Sequence, residues 1–333
     1  MKKMLMRVLV ACLAVSAVSA VSVTAMAQEV VRITNIGRGY FAGPLYIAMR
    51  EGLFEKHGLK PEVTFVKGGS LAFQSVFNRD VEFGILSYEH VLTGTAQGRK
   101  LVSVFNVTDR PLNNIVVNNE LYEANKDKSI AEKVLALKGA KVGTPSAGGS
   151  GEKMLGVLAR QHGLDLPKDV ELVYLGTEAA SYVGAFQTKT INAAMPFEPA
   201  GVVIKQRGLG NTLVDLMNGE VEQFRDLIFM TLVTHPSLIA EKPELVRKVV
   251  EVFVEAQQIL LDPERGPKIM GAEFSTMDPD ANQQAYDVVK QIWSKDGRMT
   301  LAGGKKVFEY LQPKGDEKIN FEETFTNEFL PKQ

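Results

Sequence analysis

Alternating and clustered apolar positions divide the chain into repeating strand and helix signals. Residues 30–36 alternate as a strand, and Gly37, Arg38, Gly39, Tyr40 and Phe41 form a loop before Pro44 opens a helix. Leu45, Ala48, Met49 and Leu53 give that helix a buried stripe, and His57-Gly58 ends it. Strands at 61–66, 80–86 and 101–107 follow, with helices between them that end near Phe77 and Gln97-Gly98. Residues 115–118 then run extended out of this unit, and the polar interval 119–129 reads as a surface connection.

A second series repeats the pattern. Strands at 140–142, 170–174, 190–195 and 211–216 alternate with helices after Gly149, at 178–187 and from Pro199. Residues 227–233 are again strand-like, and helices dominate the rest. Pro243 begins a long helix with Leu245, Val246, Val249, Val250, Phe253 and Val254 on its buried face, and two further helices are expected at 280–293 and 305–311. Such alternation calls for an α/β fold of mostly parallel sheets covered by helices on both faces.

The stretch 139–155 carries the clearest candidate chemistry. Thr144-Pro145 breaks a short strand, and Gly148, Gly149 and Gly151 allow close backbone approach to a bound group. Ser150 has the position of an N-cap, and free N–H groups at such a helix start attract an oxyanion or carbonyl. The stretch lacks the Lys-Ser or Lys-Thr of a phosphate-binding P-loop. Glu152 and Thr144 stand where a nucleophile-elbow serine would require glycine. Gly68-Gly69-Ser70 after the second strand repeats the same design. Ser87, Tyr88, Glu89 and His90 follow the third strand, where polar residues favour a ligand crevice.

Composition narrows the class. With 333 residues, 45% hydrophobic and 23% charged, the chain can bury the cores of two lobes. Lys2, Lys3 and Arg7 precede an apolar run over 8–23 and the small-x-small sequence Ala25-Met26-Ala27, which marks residues 1–27 as a secretory signal peptide cleaved after Ala27. Cys12, the only cysteine, lies in that run, so the exported chain has no thiol chemistry. Leu9-Val10-Ala11-Cys12 also resembles a lipobox, the alternative being a lipid anchor at Cys12. Without the three leader cations the balance is 35 basic against 39 acidic residues, with no basic patch for nucleic acid. His57, His90, His162 and His235 have no metal-ligand spacing. No cofactor is expected.

Three segments carry a family resemblance: Ala48 with Glu51-Gly-Leu-Phe-Glu-Lys-His-Gly-Leu-Lys-Pro-Glu-Val63; Asp80-Val-Glu-Phe-Gly-Ile85 with Ala96-Gln-Gly98; and Leu137-Lys-Gly-Ala-Lys-Val-Gly143. They resemble the exported substrate-binding proteins of nitrate, sulfonate and taurine-type (NitT/TauT) ABC importers and their thiamine-precursor relatives. The resemblance implies a bilobed type II periplasmic-binding fold with two hinge crossings. Lobe 1 would comprise 28–116 and 221–333, and lobe 2 residues 117–220. It implies a small-molecule ligand held by hinge closure, a membrane permease as partner, a monomer, and no catalysis.

By position, ligand contacts in lobe 1 would come from Gly39, Tyr40, Phe41, Gly69, Ser70, Ser87, Tyr88 and Glu89. In lobe 2 they would come from Gly148, Gly149, Ser150, Gly151, Phe197 and Glu198. Each has a plainer role open to it: Tyr40 and Phe41 as core, Ser70 and Ser150 as helix caps, Glu89 and Glu198 as structural or solvated charges. Arg110, beside the crossing, either grips a carboxylate or sulfonate or ties the hinge. The helix starts favour an anion, whereas the two glutamates and the aromatic residues favour a donor-bearing flat ring. A sensor subunit of the same fold and a thiamine-pyrimidine synthase-like enzyme are the alternatives. The latter depends on a cysteine-rich segment absent from the chain.

Overall fold

A computed structural model describes residues 28–166, 168–311 and 319–332. The expected signal peptide, with Cys12 and Ala27, lies outside the described residues. The first sheet has the order β2-β1-β3-β10-β4 and comprises β1 (Glu29–Asn35), β2 (Leu59–Phe65), β3 (Phe83–Ser87), β4 (Val102–Thr108) and β10 (Met230–Thr234). The second has the order β7-β6-β8-β5-β9 and comprises β5 (Ile115–Asn118), β6 (Lys141–Thr144), β7 (Glu171–Tyr174), β8 (Ala193–Ala194) and β9 (Gly210–Val214). Each sheet is parallel except for one strand, β10 in the first and β5 in the second, which runs antiparallel to both neighbours.

Those two exceptions are the strands that follow a crossing between sheets. The chain leaves β4 to enter β5, and leaves β9 to return as β10 between β3 and β4. Leu232 sits opposite Ile85 on one side and Phe105 on the other. All three are fully buried, so the returning strand lies in the middle of the first core.

Helices clad both sheets. Those of the first are α1 (Gly43–Arg50), α2 (Leu53–Lys56), α3 (Gly69–Phe77), α4 (Tyr88–Ala96), α10 (Pro236–Glu241), α11 (Pro243–Leu261), α12 (Arg265–Glu273), α13 (Pro279–Val289) and α14 (Leu301–Leu311). Pro44 occupies the first turn of α1, where its missing N–H costs nothing. Gly43 lets α1 approach α11: a Cβ there would lie 2.6 Å from Leu260 Cδ2. Met49, expected in the stripe of α1, is 44% exposed, while Tyr46 and Ile47 are buried, because the helix is enclosed on a different arc. The α11 face is buried through Leu245, Val246, Val249, Val250 and Phe253, the last ring set edge-on to Phe105 at 5.8 Å.

The second sheet carries α5 (Asn119–Asn125), α6 (Ile130–Leu135), α7 (Ser150–Gln161), α8 (Ala179–Gln187) and α9 (Ala200–Gln206). The interval expected as a polar connection therefore contains α5. Asn118 caps it by accepting from Leu121 N–H, and Ser129 and Glu132 form a capping box at the start of α6. No helix among the described residues is long and apolar enough to cross a membrane.

Candidate functional site

Both sheets reverse their direction of growth beside their first parallel strand, β1 in one and β6 in the other. From β1 the chain adds β2 on one side and β3 on the other, and β6 stands likewise between β7 and β8. Loops leaving the carboxyl ends of such strands part to opposite faces and leave a crevice. Here the two crevices face each other. A cavity of about 820 Å³ lies between Ile36-Gly37-Arg38 after β1, Phe65 to Gly69 after β2 and Ser87 and His90 after β3 on one side. Pro145 to Ala147, Gly149 and Ser150 after β6, Tyr174 to Glu178 after β7 and Phe197 after β8 close the other side.

The lobes touch around this space. A Cβ on Gly37 would meet Thr177 Cγ2 at 2.6 Å, and one on Gly68 would meet Ser146 Oγ at 2.7 Å. Tyr40 N–H donates to Glu198 O across the boundary at 3.1 Å.

Of the residues expected at the site, Gly69, Ser87, Gly149, Ser150 and Phe197 line the cavity. The others lie elsewhere. Tyr40 is fully buried, stacked on Phe274 at 4.5 Å, and its hydroxyl bonds Asn282. Tyr88 is buried with its hydroxyl 2.5 Å from Thr324 Oγ1. Gly39 donates weakly to the Tyr46 hydroxyl, Phe41 packs edge-on behind Phe197 at 4.9 Å, and Ser70 is exposed. Gly148 N–H donates to Glu152, and Gly151 faces Met195 O. Glu198 accepts from Val202 N–H at 3.0 Å at the start of α9, and burial pushes its carboxyl up to about 7. Arg110 donates to Met217 O, and Met217 N–H donates to Asn114, so the two crossings are tied to each other.

The serine caps differ from expectation. Helix α3 begins two residues and α7 one residue earlier than the serines would require, with Gly68 and Gly149 as N-caps and no side-chain cap bond. Ser150 instead donates to Asn113 Oδ1 at 3.3 Å, and Asn113 Nδ2 donates to Met195 O. The first backbone N–H groups of both helices thus carry no side-chain cap, and both helix starts line the cavity through Gly69, Gly149 and Ser150.

The family model described as NMT1/THI5 like matches residues 40–265. The chain belongs to the NMT1/THI5-like family. A Brucella abortus protein named as a candidate binding protein is 27% identical over 234 residues, 70% of this chain and 67% of that one. A solved structure from Bordetella bronchiseptica superposes with a TM-score of 0.79 at 20% identity, covering 91% of this chain and 96% of its own. The periplasmic aliphatic sulphonate binding protein SsuA of Escherichia coli gives 0.64 at 18% identity over 85% and 91%. The fold is that of the periplasmic binding proteins.

In this NMT1/THI5-like chain the sequence reading missed part of the cavity wall. Phe65 and Tyr174 end the edge strands β2 and β7 and stand 42% and 50% exposed. Their position at strand carboxyl ends was the available signal. His90 also lines the cavity, only 8% exposed, and its ring packs on α3 so closely that a Cβ on Gly69 would meet Nε2 at 2.2 Å. Burial, and secondarily the Lys153 charge, hold its pKa well below the usual histidine value, so the ring is neutral. Behind it, Glu89 on α4 pairs with Lys153 on α7 at 3.3 Å, joining the lobes.

Proposed function

We propose that this chain is the periplasmic solute-binding component of an ABC importer. It captures a small organic molecule between its lobes by hinge closure and presents the loaded form to a membrane permease. The observation that carries this reading is the cavity itself, assembled from the carboxyl ends of β1, β2 and β3 of one lobe and β6, β7 and β8 of the other. The body built on β1 to β4 with β10 and the body built on β5 to β9 move about the crossings that Arg110 ties together; because β5 starts at Ile115, the first crossing lies just before it and not at 116. The leader is removed after Ala27, and the exported monomer binds its solute without altering it. Gly69, Ser87, Gly149, Ser150 and Phe197 contact the solute, joined by Phe65, His90 and Tyr174.

A thermal-shift screen of residues 28–333 against small nutrients, followed by solution scattering of each hit, tests this. A ligand present at about a hundred times its Kd stabilises the native state by roughly 2.7 kcal/mol if it binds only that state. A hit is expected to shrink the particle. Binders that leave its dimensions unchanged, or no binder across the panel, count against the proposal.

A further inference from the structure

We infer that the cleft is built for an uncharged organic molecule of drug-like size, not for an anion. The inference rests on the solute-binding reading and adds the charge of the solute to it. It starts from where the nearby charges are already committed. Lys153, on α7 behind the cavity wall, pairs at 3.3 Å with Glu89, whose side chain is 1% exposed and whose Oε2 has no hydrogen-bond partner. Diverting Lys153 to an incoming anion would strand that carboxylate inside the protein, and an uncompensated buried charge is strongly unfavourable.

The other polar groups repeat the pattern. His90 makes no hydrogen bond among the described residues, faces the cavity, and is neutral, so it offers one donor and one acceptor and no charge. At the rim, Arg38 pairs with Glu273 at 2.7 Å and lies over the rings of Phe65 and Phe274. Lys67 and Glu178 both line the cavity from exposed positions and contribute charges of opposite sign, with no ion pair between them. Lys153 and Arg38 are thus already neutralised by carboxylates, and the exposed Lys67 is offset in net charge by Glu178 on the opposite wall.

Size and lining agree. A cavity of about 820 Å³ lies within the range that encloses drug-sized molecules. Phe65, Tyr174, Leu175 and Phe197 supply apolar and aromatic faces for such a body. The starts of α3 and α7 add partial positive charge, which an amide, sulfonamide or ring-nitrogen acceptor satisfies as an oxyanion would. They favour an acceptor at that end without requiring a full negative charge.

Matched pairs that differ in charge and hardly in shape provide the test: benzenesulfonamide against benzenesulfonate, and nicotinamide against nicotinate. Binding to residues 28–333 is measured by ligand-detected NMR and calorimetry. The neutral member of each pair is expected to bind at least roughly tenfold more tightly, and Glu89→Gln, which releases the Lys153 charge, is expected to lower that ratio by roughly tenfold. An anion that binds wild type as tightly as its neutral partner overturns the inference. So does absence of binding by all four compounds at about 10 mM, a concentration at which fragments of this size register in a matching site. Should Glu89→Gln fail to fold, the wild-type ratios alone decide. A preference for anions would leave the solute-binding reading standing, whereas lobes that stay apart at saturation would remove it whatever the charge preference.

Discussion

Gly68→Ala separates the cost of a local backbone conformation from the cost of closing the lobes. Gly68 has φ +104 with ψ 166, a region essentially confined to glycine, so alanine there costs about 1–3 kcal/mol whether the cleft is open or shut. That part is read as a fall in Tm. The new Cβ would also lie 2.7 Å from Ser146 Oγ and 3.2 Å from Ser146 Cβ, atoms of the opposite lobe. Overpacking of this kind costs about 1–3 kcal/mol. The hydroxyl can rotate away but the Cβ cannot, so the lower end of that range applies, a loss of about 5–10-fold in affinity. Calorimetry with the tightest binder of the two matched pairs measures the second part. Ser146→Gly in the same background removes both contacting atoms and is expected to restore affinity while Tm stays low. Unchanged affinity in Gly68→Ala, or no recovery in the double variant, would show that binding does not bring these lobes together as described.

Other consequences can be checked in parallel. The buried Glu198 carboxyl titrates at about 7 when folded, above the ordinary carboxylate value of about 4.3, so the native state holds a proton that the unfolded chain has lost. Stability therefore falls as pH rises between those values, by up to about 4 kcal/mol, and Glu198→Gln should lose that part of the slope and gain on wild type up to pH 8 in chemical denaturation. Asp109, raised by burial to about 6, contributes a slope of the same sign to both proteins and cancels in the comparison. Ser150→Ala removes a 3.3 Å bond to Asn113 and no cap, so it should weaken ligand binding several-fold while stability changes by less than about 1 kcal/mol. Leu45→Ala, at a fully buried position of α1, should cost about 2–5 kcal/mol in stability and leave ligand affinity unchanged.

Much of the fold can be read from local pattern because its units are local. Strand, turn and helix signals mark β1 to β4 and β6 to β9, and the apolar run at 227–233 marks the return strand, although nothing in that run says it will sit between β3 and β4. Helix α5 was hidden by its polar composition. Its legible signal was Asn118, which caps it, just as Ser129 and Glu132 form the capping box that opens α6. The cavity divides the same way. Gly69, Gly149 and Ser150 sit at turns whose geometry follows from glycine and strand ends. Tyr40 and Tyr88 carry the same aromatic-plus-hydroxyl chemistry as a ligand-stacking residue, but Asn282 and Thr324, more than two hundred residues onward, satisfy their hydroxyls and draw them into the core. Such partners are chosen by tertiary packing and leave no mark near either tyrosine. His90 stands between these cases: its place after β3 marks it, while its neutrality comes from burial and secondarily from Lys153 in the other lobe, which no local pattern shows.

The most direct measurement is a crystal structure of residues 28–333 carrying a molecule retained through purification or added as a screened binder. That molecule is expected between Gly69 and His90 on one side and Ser150, Tyr174 and Phe197 on the other, with Glu89 and Lys153 still paired behind it. A molecule bound outside this cavity, or held by one lobe alone with the other swung clear, would contradict this arrangement.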